Sequence, residues 1–213
     1  NYMNYLKLIG CIIIMYLSTS ICEFLIHKYI MHHPKLQTIS EHIQHHKDVN
    51  LDMTLVQDYN DEGMYFNSLS TIIIIMISFI IYYVIIKKLF KYRINNKYIG
   101  LISIIMGLLY KIIWNHLHYR FHMFHDKSYN KWNWYEKVSF RNHYMHHLQK
   151  GNRKGNYCII LLGADILFGT NNKCINNYDY CRKMKSQLSK NEKELCNKQS
   201  LNKKLPYNLQ FCN

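Results

Sequence analysis

The chain has 213 residues, which allows one ordinary domain or one compact membrane unit with a tail and excludes a large multidomain assembly. Lys and Arg number 27 against 13 Asp and Glu, a net charge of +14 that suits an anionic partner such as nucleic acid or lipid headgroups. Thirteen histidines are the larger anomaly, at roughly two to three times ordinary usage, and they call for a chemical reason.

The first apolar run, residues 8–22, lies between Lys7 and Glu23 and can extend through Phe24, Leu25 and Ile26. It is short for a membrane helix but is read as one. A cleaved signal peptide is the competing reading, because Lys7, the core LIGCIIIMYL and the small residues STS fit that pattern. The chain begins with Asn rather than Met, so a further helix upstream stays open. Residues 64–86 carry no charge and contain TIIIIMISFIIYYVII, enough to span roughly 34 Å as a helix. A basic connection, KKLFKYRINNK, leads to a second run at 98–114, and the two form a predicted helical hairpin across a bilayer. Three crossings would bring residues 23–62 and everything after 115 to one membrane surface, and every histidine lies in those segments.

The spacing of those histidines is that of chelating faces. EFLIHKYIMHHP holds His27 and His32, and EHIQHHKD holds His42, His45 and His46. After the hairpin, NHLHYRFHMFHD holds His118 and His122, and RNHYMHH holds His143, His146 and His147. On a helix, positions i+3 and i+4 each fall within about 60° of position i, so each HxxHH can point three imidazoles at one centre. His27 and His32 would be about 140° apart on a regular helix and need a local distortion, which Pro34 favours by ending helical geometry at His33. Ten imidazoles exceed what one ion can use, whereas two ions would take about five each. Imidazole suits iron, zinc and copper alike, so spacing leaves the metal open. His33, His116 and His125 fall outside the regular spacings. Glu23, Glu41, Asp48 and Asp126 are the nearby carboxylates available to orient imidazole rings.

In motif order these residues resemble the fatty acid hydroxylase and sterol desaturase superfamily. HKYIMH looks like its first box, HIQHH its second, HYRFH its third and HYMHH its fourth. NYCIILLGADILFGT is similar to its closing segment, with Asp165 and Phe168-Gly169-Thr170, although a helix ending in a glycine turn at Gly169 would give part of the same signal. The chain departs from the pattern in a short gap between the first two boxes and in Cys158, where the family usually has Gly.

The resemblance implies an all-α integral membrane protein, its transmembrane helices topped by a histidine-rich helical di-metal domain. It covers about 23–170 and implies a catalytic domain there that includes the hairpin at 64–114; the apolar run before it gives a first membrane helix at 1–22, and the basic, Asn- and Lys-rich composition of 171–213 reads as a weakly structured tail. His27, His32, His42, His45, His46, His118, His122, His143, His146 and His147 would be both the metal ligands and the catalytic centre. Two iron ions, with zinc as a substitute in purified material, would use dioxygen to hydroxylate or desaturate a fatty acyl chain or sterol in lipid biosynthesis. The chain has no GxGxxG or phosphate loop, so electrons would come from a separate b-type cytochrome and NAD(P)H-dependent reductase. The family places the histidines on the cytoplasmic face of the endoplasmic reticulum. The 87–97 connection, with five Lys or Arg and no acid, would by itself be placed in the cytoplasm instead.

Alternatives are a membrane protein that binds or transports metal, and an inactive relative that keeps the scaffold to bind lipid. Transport is disfavoured because residues 64–86 carry no ionisable group other than tyrosines. Much of the basic charge lies in the tail and the 87–97 loop, which suits anionic lipid contact better than nucleic acid. Trp132, Trp134 and Tyr135 look like interfacial anchors, with a packed core role as the alternative. Seven cysteines at irregular spacing imply no disulfide framework and no CxxC-type zinc site, and are expected as free thiols.

Overall fold

The computed structural model describes residues 2–36, 41–50, 52–56, 65–66, 68–89, 95–123, 129–149, 154–175, 180–181 and 190–197. The elements among them are helical, with no strand; an isolated antiparallel bridge joins Val49 and Leu55. Helix α1 is Tyr2–Leu25, followed by a π-helical turn at Ile26–Met31 and a 3-10 turn at Pro34–Leu36. Helix α2 is His42–Asp48. Helix α3, Ser68–Tyr83, runs on into a π-helical turn at Val84–Leu89. Helices α4 (Asn96–His122), α5 (Trp134–Leu148), α6 (Gly163–Leu167) and α7 (Lys190–Asn197) complete the set.

Two helices, Ser68–Lys87 and Asn96–His122, are long and apolar enough to cross a membrane. Their exposed residues form apolar stripes rather than scattered points. Ile72, Met76 and Ile80 are 53%, 59% and 57% exposed at helical spacing, and Leu101, Ile105, Leu108 and Ile112 form the matching stripe on α4. Faces of this kind are stable only under a bilayer or a partner, and we read the pair as the membrane hairpin.

Small side chains set how closely the pair packs. Ser103 and Gly107 are four residues apart on α4 and turn inward, and a Cβ on Gly107 would lie 2.3 Å from Ile75 Cγ1. The Phe66 N–H donates to Asn115 Oδ1 at 2.8 Å, which pins the start of α3 beside the upper part of α4. Helix α1 runs antiparallel to α3, since Thr19 meets Tyr82 at 3.0 Å and Cys22 meets Ser78 at 3.8 Å. The end of α1 and the end of α4 therefore emerge on the same side. At 27 residues α4 is about 40 Å long, more than a bilayer core of about 30 Å, so its last turns stand clear of the apolar stripe.

Beyond that end, α5 begins at a capping box in which Asn133 and Glu136 exchange side-chain and backbone hydrogen bonds. Glu136 also pairs with Arg120 of α4 at 2.6 Å. The aromatic trio of KWNWYEK divides. Trp132 is buried against Phe121 and Phe140, Trp134 is 77% exposed, and Tyr135 donates its hydroxyl to the Ile160 carbonyl. Within the stretch read as the tail, Ile175 and Tyr180 are buried and Lys190–Asn197 is helical.

The expectation of free thiols is corrected for this stretch. Cys181 and Cys196 form a disulfide with Cα atoms 5.8 Å apart, and Cys174 is also disulfide-bonded. Irregular sequence spacing could not reveal which cysteines the packed chain brings together. Cys22 and Cys158 are free and buried.

Candidate metal centre

The ten regularly spaced histidines converge beyond the end of the hairpin in two sets of five. His27, His32, His42, His46 and His146 form the first, and His45, His118, His122, His143 and His147 the second; in each set one nitrogen per ring lies within 4.8 Å of all the others. Each set has the same composition. A pair from the end of a long helix (His27 with His32, or His118 with His122) joins the i, i+4 pair of the HxxHH box that follows it. The fifth member is the i+3 histidine of the other box.

This corrects the expectation that one HxxHH serves one centre. On α2 and α5 the i and i+4 rings differ by about 40°, whereas the i+3 ring lies on the other side of the first, about 100° from the i+4 ring. His45 and His146 therefore cross to the opposite set. The distortion needed by His27 and His32 is the π-helical turn: the His32 N–H donates to the His27 carbonyl at 3.2 Å, an i to i+5 bond that stacks the two rings 5.1 Å apart. His33 and His116 are exposed and belong to neither set. His125 and Asp126 lie outside the described residues.

The orienting acceptors that the structure reveals are backbone carbonyls. His27 Nδ1 donates to the Tyr157 carbonyl, His146 Nδ1 to that of Gly155 at 2.7 Å and His122 Nδ1 to that of Met53 at 2.8 Å. Asp48 accepts from Gln44 instead, and Glu41 occupies the left-handed residue before α2. Glu23 is buried and acts one step further back, taking the backbone N–H groups of Ile159, Ile160 and Leu161 at 2.5, 3.1 and 3.1 Å. Asp165 takes those of Tyr157 and Cys158 at 3.0 and 2.7 Å, and the Thr170 hydroxyl at 2.7 Å.

Two buried carboxylates thus hold the 154–161 segment so that its carbonyls face the first set. Gly155 permits the close approach, since a Cβ there would lie 2.3 Å from the Thr170 carbonyl oxygen. Gly169, after α6, has φ +66, the glycine turn at a helix end that accounts for part of the closing segment's pattern. Met53, held at φ +73 in the loop after α2, supplies the third carbonyl.

The donor set fits a cation. A carbonyl only accepts, so Nδ1 of His27, His122 and His146 carries the hydrogen and Nε2 of a neutral ring is a bare lone pair. The rings are held neutral: burial first, then Lys154 and His118, push His27 down to about 3 against the pull of its Tyr157 hydrogen bond. Burial and neighbouring histidines push His42, His46, His143, His146 and His147 down as well. Yet these Nε2 atoms face other Nε2 atoms. The separations are 2.8 Å for His27–His42, 3.2 Å for His42–His46 and 2.9 Å for His32–His146. In the second set they are 2.9 Å for His122–His143 and 3.1 Å for His143–His147. Neighbouring nitrogens at right angles on an ion about 2.1 Å away lie about 3.0 Å apart, and tetrahedral ones about 3.4 Å. The observed spacings are close to what neighbouring nitrogens on one such ion adopt.

One group that spacing did not single out is Lys154, whose Nζ lies 2.7 Å from His32 Nδ1. It follows Arg153 in a basic stretch, and nothing in the sequence sets it apart.

The family model described as Fatty acid hydroxylase matches residues 12–170. No curated protein and no solved structure matches the chain.

Proposed function

The chain belongs to the fatty acid hydroxylase family, and on that premise we propose that it is a membrane-bound di-iron oxygenase that hydroxylates or desaturates a lipid such as a fatty acyl chain or sterol. The observation that carries this reading is the pair of five-imidazole sets at one end of an apolar hairpin. The family supplies the lipid substrate class, and iron is the imidazole-binding metal whose dioxygen chemistry fits that substrate.

The ten histidines would hold the two ions, and when bound these supply the dioxygen chemistry that no side chain performs, drawing two electrons from outside the chain. The protein's own contribution is positional. Burial keeps the rings neutral, backbone carbonyls fix which nitrogen faces the centre, and Glu23 and Asp165 fix the carbonyls that orient His27 and His146. The apolar stripes of the hairpin give a bilayer lipid a path toward the histidine end. We assign the catalytic unit to 23–170. The electron donor is taken to be a b-type cytochrome with its reductase, and the location the endoplasmic reticulum with the histidine face toward the cytoplasm.

The test is expression in a membrane host, metal analysis of the purified chain, and lipid profiling with and without His146→Ala. Two irons per chain and a new hydroxylated or desaturated lipid that disappears in the variant are expected. One zinc and no dioxygen consumption would overturn the mechanism.

A further inference from the structure

The two histidine sets differ in their surroundings although they match in composition. All five rings of the second set are buried, whereas His32 and His46 of the first are partly exposed. Trp114 packs 4.3 Å from His118, and Phe121 lies 6.0 Å from His143, so apolar rings wall the second set. The first set has a resident cation instead. Lys154 places its ammonium 2.7 Å from His32 Nδ1, and its charge acts on His27, His32, His46 and His146.

The direction of that contact matters. At His27 and His146 Nδ1 gives its hydrogen to a carbonyl, which leaves Nε2 free to bind. At His32 the partner is itself a donor, so Nδ1 accepts, and the hydrogen of the neutral ring sits on Nε2, facing His146 Nε2 at 2.9 Å. In this arrangement His32 cannot give Nε2 to an ion. It can do so only once Lys154 withdraws and the ring hydrogen moves to Nδ1, with no net gain or loss of protons. Repulsion between the ammonium and an incoming dication acts in the same sense.

We propose that Lys154 competes with the ion at the first histidine set, so that this ion exchanges with solution while the ion of the second set is retained. The proposal rests on the reading of the two sets as metal sites, and adds an inequivalence and a residue that controls it. The exchangeable site is then the one nearer solvent, whose fifth ligand, His32, is present or absent according to the lysine.

The full-length protein in detergent, loaded with cobalt(II) and challenged with excess chelator, gives the test through the loss of cobalt absorption. Two phases of equal size are expected, the fast one about 10-fold or more ahead of the slow one. Lys154→Met is expected to slow the fast phase about 10-fold, in the range of changes made around ligating histidines, while Lys154→Arg keeps it. A thermal melt checks that both variants are folded. Two ions leaving at one rate, or a fast phase unchanged in Lys154→Met, would sink this inference and leave the metal-site reading standing. A chain that takes up no cobalt would sink both.

Discussion

His46 and His147 stack at 4.2 Å with ring planes 27° apart, although they belong to different histidine sets. They form the shared wall between the two sites, so a change at one is felt at the other. His147→Ala removes one imidazole of the second set and half of that wall. It is expected to lower the metal content from about two ions per chain to about one or fewer, and to reduce lipid oxidation by about 100-fold or more. His33→Ala and His116→Ala, at exposed positions outside both sets, should leave the metal content unchanged in the same elemental analysis.

The 154–161 segment offers a way to disturb the first set without touching a ligand. Asp165 is fully buried and takes two backbone N–H groups and the Thr170 hydroxyl. Asp165→Asn keeps the shape but replaces one acceptor oxygen by a donor that faces donors. The expected cost is about 2–4 kcal/mol of stability, read from thermal or denaturant unfolding. The carbonyls of Gly155 and Tyr157 should shift with it, lowering affinity at the first set about 10- to 100-fold. Equal weakening of both sets would mean that Asp165 acts only on overall stability.

Much of this centre was legible in the sequence. Two HxxHH boxes, two further histidine pairs and an apolar hairpin between them place ten imidazoles on one side by topology alone. The division of each box between the two histidine sets was not legible, because spacing gives angles along one helix and says nothing of where a second helix stands. Carbonyl acceptors were invisible for a different reason: every residue has one, and only the fold decides that those of Met53, Gly155 and Tyr157 face a histidine. The π-helical turn at Ile26–Met31 shows the opposite case, since the misfit of His27 and His32 on a regular helix pointed to the distortion later seen. Lys154 left no signal in a chain with 27 basic residues.

Burial of the histidines sets a pH dependence for the metal-free protein. His27 titrates near 6.5 when unfolded and is held down to about 3 when folded, mainly by burial. Between those values the unfolded chain binds more protons, so stability rises with pH through that window and is lost as pH falls from about 6.5 toward 3. His27 contributes a slope of about 1.4 kcal/mol per pH unit within it, and the other histidines held down by burial act in the same direction. Unfolding of metal-free protein in detergent is therefore expected to move to lower temperature as pH drops below about 6.5, with little change above it. Bound metal should shift the onset of this loss to lower pH, since an ion competes with protons for the same nitrogens. A flat profile from pH 7 to pH 4 would contradict the neutral, buried state of these rings.

Orientation in the membrane is decided by competing physical indications. The electron supply proposed above requires the histidine face to look toward the cytoplasm. Two features pull the other way. The 87–97 connection at the far end is basic, and the Cys181–Cys196 disulfide packs against the core that contains Tyr144, Met145 and Leu148 of α5, on the histidine side. A cytoplasmic histidine face therefore requires that Cys181 and Cys196 be kept as a dithiol in cells, while Cys158, fully buried and with its thiol pushed well up by burial, stays inert. A membrane-impermeant maleimide applied to sealed microsomes is expected to label Cys181 and Cys196 and to spare Cys158. Protection of the pair until the vesicles are both opened and reduced would place the histidine face in the lumen, and the electron donor would then have to be sought on that side.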